Sequence, residues 1–270
     1  MNERVLDTYD ARPRATIRQL ILIAVLIGLM AWSCSAMNAT GAGENGGKIA
    51  LNILTGLLHP DTGLLFTLTK EGVPYLLLET VCISFLGTVV GAVIAIPLAF
   101  FSASNLMPRP VAFVSRVIIM AVRTVPAFVY GLMFIRVTGP GPFAGLLTMS
   151  LCSVGMVSKM YIEAIEDLDS GVLESLSAAG CGRLAQIRYG VLPQLMPNFA
   201  STAIYRFDVN LRDATVLGLV GAGGIGAPLI FAMSAYRWND AGAILWGLII
   251  LVLVVEWIST RIRIKLTRGE

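Results

Sequence analysis

Long apolar stretches separated by short polar or glycine- and proline-rich breaks dominate this chain. Several stretches reach the roughly 20 residues that a helix needs to cross about 30 Å of hydrocarbon. We therefore predict an all-α membrane protein with six transmembrane helices. The predicted spans are Ile17 to Trp32, Val73 to Phe101, Val111 to Val137, Phe143 to Ile165, Met196 to Val220 and Ala241 to Thr260.

The composition agrees with this interpretation, since 56% of the residues are hydrophobic and only 14% are charged. A soluble α/β enzyme rarely has such a composition. A secretory signal peptide is the alternative for the first stretch, because basic residues precede it. Trp32 and Ser33 before Cys34 make a poor lipoprotein leader, however, and no small-residue cleavage site lies close by. We expect a retained helix.

The basic residues predict the orientation in the membrane. Six spans that start inside put thirteen basic residues on the cytoplasmic side and four outside, as the positive-inside rule requires. We therefore expect both termini in the cytoplasm. The net charge of +3 does not indicate a nucleic acid partner, because the surplus basic residues lie where they can contact anionic lipid headgroups. The four residues assigned to the outer side are Lys48, Lys70, Arg136 and Arg237, at or beyond the ends of spans, while Arg123, Arg206 and Arg212 lie deeper within spans and are assigned to neither side.

Residues suited to catalysis or metal binding are scarce. The four cysteines, Cys34, Cys82, Cys152 and Cys181, have no close partner in sequence, and His59 is the only histidine. We predict no disulfide framework, no metal site and no catalytic residue, and hence no enzyme.

Two segments resemble nucleotide loops. "VGAGGIGAP" has the Gly221, Gly223, Gly226 spacing of a dinucleotide fingerprint, but Pro228 interrupts the helix that should follow and no βαβ repeat surrounds it. We expect a turn at the outer end of the fifth span, where Gly221, Gly223, Gly224 and Gly226 permit positive φ and close packing. "GAGENGGKIA" lacks the hydroxyl residue of a phosphate loop. Any ATP-driven work therefore needs a partner, and we expect no cofactor on this chain.

The longest predicted cytoplasmic loop runs from Glu166 to Pro197. Asp169 or Ser170 can cap a first short helix, and Gly180 with Gly182 permits a sharp reversal into a second. Pro193 and Pro197 are expected to mark the return to the membrane. Such an amphipathic hairpin either lies on the membrane or binds a partner.

The predicted fifth span contains unusual charges. Charged groups inside a membrane are costly, so they are functional candidates by default. One interpretation pairs them locally, since Asp208 and Arg212 are four residues apart; the other offers arginines to an anion that crosses the membrane. The candidates for the translocation path are Arg123, Thr124, Arg206, Asp208, Asn210, Arg212 and Asp213. Arg123 has no acid within one turn, although Glu79 on the second span could reach it.

Four positions of the loop match the EAA pattern of permeases in ATP-binding-cassette importers: Glu174, Gly180, Leu192 and Pro193. "YRFDVNLRDATVLGLVGAGGIG", "YGVLPQLMP" and "RTVPAFVYGLMF" further resemble the permease subunit of phosphonate importers, from about Val73 onward. "ESL" replaces EAA here, and Gly190 replaces an isoleucine.

This resemblance implies a type I importer in a bacterial inner membrane. Residues 1–70 would hold a cytoplasmic segment, the first span and an external loop, and residues 71–270 a five-helix permease core with its coupling loop at 166–197. Two ATPase subunits, which bind ATP and magnesium, a substrate-binding protein and a second permease copy are the implied partners. The implied coupling residues are Glu174, Leu176, Gly180, Gly182, Leu192 and Pro193.

Other functions remain open at this point. Related permeases that carry phosphite, another oxyanion or a methionine-like amino acid share the coupling loop. A lipid-modifying membrane enzyme would need a cluster of catalytic groups near one interface, and only the acidic run from Glu163 to Asp169 comes close. We interpret that run as a solvated helix end. A channel would need no ATPase.

Overall fold

The computed structural model describes residues 15–36 and 46–268. The chain divides into two compact units, Met1–Leu51 and Asn52–Glu270. The first unit contains helix α1, Ala15–Ala36, which includes the first predicted span. The expected cytoplasmic N-terminal segment lies outside the described residues, and the domain division at residue 70 stays a prediction.

Every regular element in the described part of the chain is helical, which confirms the predicted fold class. Helix α2 begins in the first unit and ends in the second. After α1 the elements are α2 Gly46–Leu58, α3 Thr62–Phe66, α4 Val73–Ser102, α5 Arg109–Thr124, α6 Ala127–Thr138, α7 Pro142–Glu166, α8 Ser170–Ala178, α9 Arg183–Ala185, a π-helical segment Gln186–Val191, α10 Leu192–Leu219, α11 Gly226–Ser234 and α12 Trp238–Arg268.

Three of the described helices are long and apolar enough to cross a membrane alone: α4, α7 and α12. Helices α5 and α6 qualify together as a fourth span. Helix α10 is long enough to cross a membrane, with 28 residues, but the charged residues in its middle lower its mean hydropathy, so it is not among these candidate spans. The count of six spans therefore stays a prediction.

The predicted span from Val111 to Val137 is two helices, α5 and α6, whose axes differ by 84°. Val125 between them is extended, with φ −85° and ψ 124°. The cause is Pro126, whose ring disfavours the helical conformation in the residue before it. A bend of this kind leaves the first N–H groups of α6 without helical partners.

Small residues allow α4 and α7 to pack closely. Gly87, Gly91, Ala95 and Ala99 recur every fourth residue along α4 and are all buried. A Cβ atom at Gly91 would lie 2.4 Å from the Cβ of Ser153 on α7. Because lipid tails are as apolar as the helices, such close packing provides much of the association energy in a membrane.

Helix α10 packs against α4, α7 and α12, so it brings its polar residues into the middle of the helical core. Near its start, Phe199 is buried and stacks on Tyr161 of α7 with ring centroids 4.0 Å apart. The Tyr161 hydroxyl donates a hydrogen bond of 3.1 Å to the Phe199 carbonyl. These contacts fix α10 relative to α7.

Candidate functional site

The loop after α7 folds into a short helical hairpin, which we call the coupling hairpin (residues 169–191). Asp169 caps α8 by accepting a hydrogen bond of 3.0 Å from the Gly171 N–H, as predicted. Gly180 has φ +78° and makes the expected reversal. The N–H of the next residue, Cys181, then bonds back to the Leu176 carbonyl at 3.0 Å. This pattern is a typical helix end with a left-handed glycine.

The second half of the hairpin differs from the expectation. The π-helical segment runs directly into α10, and neither proline marks a break. Pro193 lies in the first turn of α10 and Pro197 lies inside the helix. Because the π-helical segment precedes Pro193 directly, the missing N–H of this proline removes one helical hydrogen bond at the junction without ending the helix. The hairpin is therefore joined rigidly to α10.

Leu176 stabilises the hairpin from within. Leu176 packs over the buried Gly190. A Cβ atom added at Gly190 would lie only 2.4 Å from the Cδ1 of Leu176. This contact is a physical reason for a glycine where the EAA pattern has isoleucine. The Gln186 amide joins the two halves through 2.9 Å hydrogen bonds to the Ser177 hydroxyl and the Cys181 carbonyl.

Several residues of the coupling hairpin are exposed. Glu174 is exposed, and so are Gly180 and Gly182. Leu184 is 84% exposed and Tyr189 is 69% exposed. Leu192 is half-buried and Pro193 is exposed at the junction with α10. Aromatic residues are enriched where proteins bind one another, so these exposed side chains are available to a protein partner.

Asn210 is the centre of a buried polar cluster between α4, α7 and α10. Its amide donates hydrogen bonds of 2.8 Å to the Thr88 hydroxyl and 2.7 Å to the Ser153 hydroxyl. The Nε of Arg206 also donates a hydrogen bond of 3.4 Å to the Ser153 hydroxyl. The Thr88 hydroxyl donates onward to the Ser84 carbonyl at 2.7 Å. These hydroxyls were not among the predicted site residues, although Thr80, Ser84 and Thr88 recur every four residues on α4.

The charges of α10 are paired locally. Arg212 donates to Asp208, one turn earlier. Arg206 is 6% exposed and lies 3.7 Å from Asp213, measured from Nη2 to Oδ2. Each of the two arginines therefore has a carboxylate partner on its own helix. The second oxygen of Asp208 is buried and has no hydrogen-bond partner among the described residues.

Arg123 and Arg206 line the same cavity, of about 240 Å³, which we call the helix-break cavity. Its walls also include Cys152, Met156 and the Val125–Ala127 break between α5 and α6. Thr124 is not part of the wall, and its hydroxyl bonds to the Ala121 carbonyl of its own helix at 2.7 Å.

Arg123 has no carboxylate within ion-pair distance in the described part of the chain. Its aliphatic stem packs over Gly155, where a Cβ atom would lie 2.7 Å from the Arg123 Cγ. The suggestion that Glu79 reaches Arg123 is wrong. Glu79 instead accepts a 2.9 Å hydrogen bond from the Gly224 N–H, because it lies near the start of α4 beside the loop that follows α10.

That glycine-rich loop is a tight turn. Gly221, Gly223 and Gly224 have φ of +94°, +81° and +74°. Gly226 has no space for a side chain, since a Cβ atom would lie 2.1 Å from the Thr215 carbonyl oxygen. The N–H of Ile225 donates to the Thr80 hydroxyl at 3.0 Å. Side chains of α4 thus occupy N–H groups that a nucleotide phosphate would need.

Comparison with known proteins identifies the family. Residues 95–263 match the family described as binding-protein-dependent transport system inner membrane component. The chain is 39% identical to the phosphite transport system permease protein PtxC of Stutzerimonas stutzeri, over 69% of this chain and 68% of that protein. It is 35% identical to the phosphate-import permease protein PhnE of Mycolicibacterium smegmatis, over 70% of this chain and 36% of the relative.

The fold agrees with this assignment. An inward-facing structure of the MetNI methionine ABC transporter superposes with a TM-score of 0.64 at 20% identity, covering 70% of this chain and 93% of that one. The turn at Gly180, the rigid junction with α10 and the bent pair α5 and α6 all lie within or beside the matched region. The chain belongs to the inner membrane permease family of binding-protein-dependent transport systems.

Proposed function

We propose that this permease carries phosphonate or a related phosphorus oxyanion, such as phosphite, into the cytoplasm as part of an ATP-driven importer. Two copies would form the pathway, two ATP-binding-cassette ATPases would hydrolyse ATP, and a binding protein would deliver the cargo from outside. The names of relatives at 35% and 39% identity support a phosphorus oxyanion as the cargo.

The observation that carries this proposal is the pair of arginines in the helix-break cavity. Guanidinium groups bind oxyanions through parallel N–H donors, so two of them suit a tetrahedral phosphorus compound. Helix α6 begins in the same wall at Ala127 and has no side chain that caps its first N–H groups. The start of a helix carries a partial positive charge, which adds to the field of the arginines.

The cavity also has features that permit release. Asp213 lies 3.7 Å from Arg206 and competes with an anion for that guanidinium. Arg123 is exposed in the described chain, so its guanidinium is not enclosed by protein. A transporter must bind its cargo weakly enough to let it leave, and a partly compensated site meets this condition.

The coupling hairpin would bind the ATPase. Its internal contacts at Leu176 and Gln186 make it rigid, and the continuous helix from residue 183 into α10 would transmit a displacement to the polar cluster around Asn210. Glu174, Leu184 and Tyr189 would face the partner. With the hairpin in the cytoplasm, both termini would lie there as well, which the excess of basic residues on that side supports.

The test starts with the tagged chain purified under mild conditions from its own membranes, with the co-purifying ATPase and binding protein identified by mass. The assembled complex is then reconstituted, and ATP-dependent transport of phosphite, methylphosphonate, phosphate and methionine is measured. We expect transport of at least one phosphorus oxyanion and none of methionine. ATP-dependent transport of methionine alone would overturn the proposed cargo.

A matched pair of variants tests the hairpin. Gly180→Ala strains the left-handed turn. Gly182 was expected to share in the reversal, but it is not among the positive-φ glycines of the described chain and has open space around it, so Gly182→Ala is the control for the turn itself. We expect the first variant to lose stimulation of the ATPase and uptake, and the second to retain both. Equal coupling in the two variants would contradict the proposed role of the turn.

A further inference from the structure

A second cavity, which we call the α5–α7 groove, lies between those two helices and has a volume of about 300 Å³. Five charged residues line it: Arg116, Arg123, Lys159, Glu163 and Glu166. Arg123 belongs to this groove and also to the helix-break cavity. The same guanidinium can therefore contact an anion in either cavity.

At one end of the groove, a fixed ion pair neutralises two of these charges. Arg116 donates to Glu166 and, through Nε, to the Ser102 carbonyl at 2.9 Å. Glu166 also accepts a 2.8 Å hydrogen bond from the Ser104 N–H. Within the acidic run that we interpreted as a solvated helix end, Glu166 is the last residue of α7 and is held by this ion pair. This network holds the last residues of α4 and α7 against the middle of α5.

The middle of the groove is held less tightly. The Lys159 ammonium lies 3.3 Å from the Glu163 carboxylate, and both side chains are more than half exposed. Exposed ion pairs one turn apart on a helix contribute little free energy, so Lys159 can exchange this carboxylate for another anion. With Arg116 neutralised by Glu166, the remaining charges are the cations Arg123 and Lys159 and the anion Glu163.

We propose that the α5–α7 groove is a second oxyanion site, through which the cargo leaves the helix-break cavity toward the cytoplasm. The proposal rests on the proposed function, because it takes the same phosphorus oxyanion as the ligand. Arg123 contacts the anion in both sites, and Lys159 binds it in the second. Glu163 competes for Lys159 and repels the anion, so it promotes release.

Inhibition of transport by cargo on the cytoplasmic side measures occupancy of this exit site. In proteoliposomes, phosphite is added together with ATP on the side of the ATPase, and the concentration that halves transport is determined. Glu163→Gln removes the competing carboxylate and should lower this concentration by roughly two- to fivefold. Lys159→Gln should raise it by a similar factor. Glu256→Gln and Lys265→Gln, exposed residues on α12, are the matched controls and should leave it unchanged.

Two further comparisons keep the test decisive. If the neutral variants do not assemble, Glu163→Asp withdraws the carboxylate while retaining the charge, and should shift inhibition in the same direction by a smaller factor. A lipid headgroup carries the same phosphate chemistry, so the vesicles are made with and without phosphatidylglycerol. Inhibition that followed the phosphatidylglycerol content instead of added phosphite would assign the groove to lipid and overturn the proposal.

The outcomes separate this inference from the proposed function. If the wild-type complex transports no phosphorus oxyanion, the proposed function fails. If it transports phosphite, but inhibition from the cytoplasmic side is the same in wild type, Glu163→Gln and Lys159→Gln, only the second site is overturned.

Discussion

Replacing Asn210 by leucine tests whether the buried polar cluster stabilises the helical core. Leucine has a similar size, so the main loss is the two hydrogen bonds to Thr88 and Ser153, of 2.8 and 2.7 Å. Hydrogen bonds between helices in a membrane contribute about 0.6 kcal/mol on average and up to about 1.7 kcal/mol each. We therefore expect a loss of about 1 to 3 kcal/mol in the free energy of unfolding.

A loss of this size lowers the unfolding midpoint by about 2 to 4 °C for each kcal/mol. The assay is thermal unfolding of the purified protein in detergent, at one heating rate for all variants. Thr88→Val should give about half the effect of Asn210→Leu, since it removes one of the two acceptors. Thr124→Val is the matched control, because the exposed Thr124 hydroxyl bonds only to its own helix at Ala121. An unchanged midpoint in Asn210→Leu would refute the stabilising role of the cluster.

Three further predictions concern packing, the glycine-rich loop and the anion cavity. Gly91→Ala should cost about 1 to 3 kcal/mol of stability by crowding Ser153, while Gly28→Ala, with open space around it, should be neutral or slightly stabilising in the same unfolding assay. Gly224→Ala, at φ +74° and 2.7 Å from the Thr80 hydroxyl, should lower uptake together with stability; unchanged values of both would show that the loop tolerates a side chain. Asp213→Asn should free Arg206 for the cargo, so that KM falls roughly threefold or more while the maximal uptake rate also falls; a higher KM in uptake kinetics would contradict the competition between Asp213 and the anion.

Apolar run length and turn residues were sufficient to predict the fold class and the first half of the coupling hairpin with its turn. Uninterrupted apolar stretches have few alternatives to a helix in a membrane, because every backbone N–H must be satisfied internally. Asp169 and Gly180 act through their own backbone neighbourhood, so their roles depend on local sequence alone. The bend at Val125 was also encoded locally, in the residue pair Val125–Pro126, but the apolar run around it hid the signal.

Contacts between distant helices could not be predicted in the same way. The partners of Asn210 lie 57 and 122 residues away, and they depend on the rotation of α4 and α7 about their axes. The sequence allowed Glu79 to reach Arg123, because both are charged residues in predicted spans, whereas its position near the start of α4 brings Glu79 to Gly224. Gly190 departs from the family pattern for a reason that only the packing of Leu176 reveals.

The most direct test of the account is protection of Cys152, which is half-buried and lines the helix-break cavity with both arginines. In the assembled transporter with Cys34, Cys82 and Cys181 replaced by serine, the rate of Cys152 modification by a negatively charged methanethiosulfonate reagent is measured. We predict that phosphite slows the reaction severalfold, that methionine does not, and that Arg123→Gln abolishes the protection. The same modification rate with and without phosphite would contradict an oxyanion path through this cavity.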